Sequence, residues 1–66
     1  MRKIILVKVV NKYTGKNYHV IENEINDDIV NLYMVKTHGL SLEKSVGNKT
    51  FHTDYEPTEK FEMIIG

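Results

Sequence analysis

The sequence predicts an α+β domain, a small antiparallel sheet with one covering helix, and three observations carry that reading. The first is a β-branched run at residues 3–10, KIILVKVV, followed by a turn-rich stretch and a second short apolar alternation. The second is a set of helix-end signals bracketing residues 27–37. The third is the alternating apolar segment EKFEMII at residues 59–65.

Within KIILVKVV one alternating set is Ile5, Val7 and Val9, and the other is Ile4, Leu6, Lys8 and Val10. Both are mostly apolar, which suits a central strand covered on two sides, or one whose second side is buried by a partner subunit. Residues 11–17, NKYTGKN, have the asparagines and glycine of a turn, and residues 18–22, YHVIE, resume strand character. A β-hairpin is expected here.

Residues 27–37 carry competing signals. Asn26 suits an N-cap, Asp27 and Asp28 suit a helix N-terminus, and Ile25 and Val30 occupy the positions of a hydrophobic staple. Lys36 and His38 lie near the other end, and Gly39 suits a left-handed C′ position. Against a helix, Ile29, Val30 and Val35 are β-branched, and Val30, Leu32 and Met34 would line one face of a strand. The end signals favour the helix. On the strand reading the chain becomes five short strands that curl into an SH3-like or OB-like β-barrel.

Downstream, residues 41–46, SLEKSV, read as a short helical turn capped by Ser41 and stopped by Gly47. KTFHTDY at 49–55 reads as a short strand, Glu56-Pro57 as a turn, and 59–65 as a final strand with Phe61, Met63 and Ile65 on one face.

The charge is sorted along the chain. Residues 1–21 hold Arg2, Lys3, Lys8, Lys12 and Lys16 and no carboxylate, whereas all nine carboxylates follow with only four lysines, for a net charge of zero. Such sorting either draws a basic strand to an acidic one within the fold or presents a basic edge to a partner. Glu59 and Glu62 make the last strand a fitting neighbour for the first, although cross-strand pairs add only about 0.2–1 kcal/mol each.

Sixty-six residues make one domain, 1–66, with thin stability. There is no cysteine to staple it, so the core or a partner subunit must supply the stability. With 41% hydrophobic residues the chain is expected to fold. No apolar window approaches the roughly 20 residues of a spanning helix, and Ile4 to Val7 is too short for a signal-peptide core. No membrane association is expected, and cytoplasmic residence is the default.

For function, Lys12, Tyr13, Lys16 and Tyr18 form a basic aromatic loop suited to single-stranded nucleic acid, with ammonium groups for phosphates and rings for bases. Thr14-Gly15-Lys16 is only a fragment of a P-loop. His19, His38 and His52, with Asp54 and Glu56 alternating beyond His52, show no recognisable ligand spacing, so neither a metal nor a cofactor is expected. Ser41 and Ser45 have no nucleophile signature, and no enzymatic activity is expected.

Tyr33, Met34 and Val35 give the central segment more apolar sides than so small a monomer covers, which points to self-association or a protein partner. The leading expectation is a small noncatalytic protein-interaction or regulatory module. Its length also suits an accessory protein of viral or mobile-element origin. The alternative is a single-stranded nucleic-acid-binding domain using the 12–18 loop.

Overall fold

The computed structural model describes residues 2–37 and 39–65, with the side chain of Ile65 excepted. Its strands are β1 (Arg2–Asn11), β2 (Asn17–Ile21), β3 (Ile29–Lys36), β4 (Gly39–Gly47) and β5 (Tyr55–Ile65). A 3-10 turn, Glu22–Glu24, follows β2, and one helix, α1 (Asn48–Asp54), precedes β5. The strands form one sheet in the order β4-β3-β2-β1-β5, every neighbouring pair antiparallel. The first four strands are a meander, after which the chain crosses through α1 and returns as β5 on the far side of β1. The sheet stays open, with β4 and β5 at its edges. A small antiparallel sheet with one helix is therefore the architecture, and a closed barrel is not.

The helix is not where the end signals put it. Residues 27–37 contain β3, and the helix is built from residues 48–54, so the strand expected at 49–55 is not formed there. In β3 the period-2 pattern prevails because Val30 and Leu32 are both completely buried, a reward local end signals cannot match. In α1 the buried residue is Phe51, whose ring meets that of Tyr55, the first residue of β5. They stack with centroids 5.7 Å apart and an interplanar angle of 16°. The short turn expected at 41–46 is part of β4, and Glu56-Pro57 lies inside β5.

The hairpin expectation holds. Asn11 closes the β1-β2 turn, its side-chain oxygen accepting from Tyr13 N–H at 2.8 Å and Thr14 N–H at 3.0 Å. Gly15 supplies the left-handed residue at φ 76°. β1 is central as expected, and its basic side chains meet the acidic β5. Lys8 lies opposite Glu59, and Lys3 Nζ is 3.6 Å from a Glu62 carboxylate oxygen. Thr58 is an extra residue in β5 between the partners of Lys8 and Val9, a β-bulge whose hydroxyl donates to the Lys8 carbonyl at 3.2 Å.

One core cluster lies beneath α1, formed by Val7 and Val9 of β1, Tyr18 and Val20 of β2, Val30 and Leu32 of β3, and Phe51 and Tyr55. Ile4 and Leu6 are also buried but stand outside that cluster, on the reverse of β1. Phe61 leans across β1 to meet His19 edge-on at 5.6 Å, which roofs this second side. Asn48 ties α1 to the loop before β3: its side-chain amide donates to the carbonyls of Ile25 at 3.1 Å and Asp27 at 2.9 Å. Its backbone N–H donates to Asp28 at 2.8 Å. No helix among the described residues is long and apolar enough to cross a membrane.

Candidate protein-interaction surface

Residues directly opposite one another in an antiparallel ladder point to the same side, so the register defines the two faces of the sheet. One row runs through all five strands: Leu42 opposite Tyr33, Tyr33 opposite His19, His19 opposite Lys8, and Lys8 opposite Glu59. This row lies on the face away from the core cluster. Beside it, Val35 pairs with Leu40 and Phe61 with Leu6. Ile29 joins the same side by alternation along β3.

This outer face holds much of the apolar surface the fold leaves uncovered. Leu42 is 58% exposed, Ile29 56%, Val35 43% and Phe61 39%, and α1 packs on the opposite face through Phe51. The other exposed large apolar residues lie elsewhere, Tyr13 at the hairpin tip and Ile64 opposite Lys3 on the other face. Lys8 and Glu59 are the charged members of the row, side by side in register. Asn31 and Ser45 form a polar patch in which the Ser45 hydroxyl donates to the Asn31 side-chain Oδ1 at 2.7 Å.

His19 is at the middle of the row. Its Nδ1 is shielded from solvent and has no hydrogen-bond partner. Burial lowers its pKa from 6.5, the Lys8 ammonium lowers it further, and Glu59 partly opposes them.

Of the three residues singled out in the sequence, Tyr33 and Val35 lie on the outer face, half-buried and exposed respectively. Met34 points the other way and packs against the core cluster. Sequence reasoning missed Leu40, Leu42 and Phe61. The alternation Leu40, Leu42 was the available signal, but Ser41 and Gly47 had suggested a helical turn there.

The basic aromatic loop is split by the fold. Tyr13 is 76% exposed at the tip between Lys12 and Lys16, whereas Tyr18 is 8% exposed and meets Tyr55 edge-on at 6.0 Å. Lys16, Tyr18, Met34 and Glu43 line an open pocket of about 250 Å³ on the core side of the sheet. Lys44 Nζ sits 5.8 Å from the centroid of the Tyr18 ring, and hydrogen bonding to Tyr55 raises its pKa. His52 and Asp54 belong to α1 and Glu56 to β5, so the three do not share a strand face.

No protein-family model matches this chain, and neither a curated protein nor a solved structure matches it at a significant level.

Proposed function

We propose that this protein is a small noncatalytic interaction module that docks a protein on the outer face of its sheet. The observation that carries the reading is that Leu42, Ile29, Val35 and Phe61, all well exposed, lie on the face of the sheet opposite the core cluster and α1. Apolar side chains gathered on one face of a sheet favour association because each buried Å² contributes roughly 25 cal/mol. Tyr33 gives the patch an aromatic ring beside a polar group, the residue type that anchors interfaces best.

The test is affinity capture with the wild type, Leu42→Asp and Ile64→Asp. Both substitutions place a carboxylate at an exposed position, and only the first lies on the outer face. A protein bound by the wild type and by Ile64→Asp, with retention reduced at least about tenfold by Leu42→Asp, supports the reading. Equal retention by all three refutes it. Thermal melts establish that each variant is folded.

A second reading, single-stranded nucleic-acid binding by the 12–18 loop, draws on the exposed Tyr13 held on a hydrogen-bonded turn between two lysines. With Tyr18 in the core, Tyr13 is the ring of this loop that a base would stack on. Mobility shifts with short DNA and RNA strands at about 50 mM salt, lost on Tyr13→Ala, support it. Absence of a shift at that salt refutes it.

A further inference from the structure

We infer that the outer face is the contact surface of a homodimer, in which two copies pack sheet against sheet through Tyr33, Val35, Leu40, Leu42 and Phe61. This rests on the protein-docking reading and names its partner as a second copy of the chain. Two properties of the face select that occupant: its charge balance and its size.

An interface between identical copies related by a two-fold axis presents the same patch twice, so any net charge on it repels itself. On β1 and β5 the face carries two cations, Arg2 and Lys8, and two anions, Glu56 and Glu59, with Lys8 and Glu59 paired in register within each copy. The part of the row on β2, β3 and β4 is His19, Tyr33 and Leu42, with Val35 and Leu40 beside it. The lowered pKa of His19 keeps that part neutral at pH 7. Two such faces approach without repulsion.

The size fits as well. Five strands at about 4.8 Å spacing span roughly 19 Å, and an eight-residue strand such as β3 is roughly 26 Å long. The projected face is then roughly 500 Å² per copy, or about 1,000 Å² in total, the lower bound for a specific interface. Sheets packed face to face at about 10 Å separation interdigitate apolar side chains in this manner. An interface at this lower bound belongs with the weak, transient ones.

Sedimentation velocity over roughly 1 μM to 1 mM tests this with the wild type, Leu42→Asp and Ile64→Asp. The expected result is a concentration-dependent doubling of mass for the wild type and Ile64→Asp, with Leu42→Asp monomeric and folded. A wild type that stays monomeric throughout overturns the homodimer. The docking reading then stands or falls on the capture experiment alone. A dimer that survives Leu42→Asp also overturns it, because association then uses another surface.

Spin labels provide a check that needs no disruptive substitution. The chain has no cysteine, so Leu42→Cys and Ile64→Cys each carry a single label. Rising protein concentration should restrict the label at position 42 and leave that at 64 unchanged. The reverse pattern, or no change at either, counts against the proposal.

Discussion

His19 shows how one side chain links the sheet to solution conditions. A shielded imidazole nitrogen without a partner accepts a proton only at the expense of desolvating the charge, so its folded pKa lies below the 6.5 of an unfolded histidine. The charged and titratable groups facing it are Lys8 from β1, Tyr33 from β3 and Glu59 from β5. Between the folded and unfolded pKa values the unfolded chain binds more protons, and stability therefore rises with pH through that window. On acidification the loss begins near pH 6.5 and is complete below the folded value. The melting midpoint of the wild type should fall as pH is lowered through this range, and that of His19→Gln should fall less. Parallel curves for the two proteins would remove His19 as the source.

Asn48 does comparable work for the elements, since one side chain holds both the start of α1 and the loop entering β3. Its amide satisfies two carbonyls and its backbone a third. Asn48→Ala should destabilise the domain by about 1–3 kcal/mol, seen as a lower denaturant midpoint at unchanged slope. Asn48→Asp keeps the shape but loses the amide donors, and should cost a similar amount; a neutral result for both would show that water replaces these bonds freely. At this scale the sequence was partly legible. The β1-β2 hairpin and the final strand were readable because each depends on a local turn or a local period. Residues 27–37 were misleading because their end signals serve other purposes. Gly39 does adopt a positive φ, 122°, but at the turn between β3 and β4. The Asp28 carbonyl accepts from the first residue of α1 rather than opening a helix of its own. Helix α1 was hidden because Phe51, Thr53 and Tyr55 satisfy a period of two, while the helix buries Phe51 alone and Tyr55 already belongs to β5. The helix is held by the core contact of the Phe51 ring with Tyr55, which no local pattern displays.

Across the whole molecule the sorted charge finds its use inside the sheet. The basic first strand lies beside the acidic last one, joining the two ends of the chain, and this neighbourhood was legible because opposite charges were segregated by sequence. The outer face was less so. Tyr33 and Val35 were visible as apolar surplus, but Met34 between them turns to the core, and Phe61 reaches the face only through the β5-β1-β2 order. Strand order depends on long-range pairing, which no local pattern encodes. The same order limits what the charges contribute. Lys3 and Glu62 sit diagonally across β1 and β5, each side chain 61% exposed, so water and salt screen their attraction. A double-mutant cycle with Lys3→Glu and Glu62→Lys should therefore give a coupling of about 0.2–1 kcal/mol, fading at about 1 M salt. The double reversal should recover most of the stability lost by either single change. A coupling of several kcal/mol would mean that the ion pair itself holds the chain ends together. A coupling within the expected range leaves that role to Ile4, Leu6 and the Phe61 ring packed over them, and assigns the charges to selecting which strands pair.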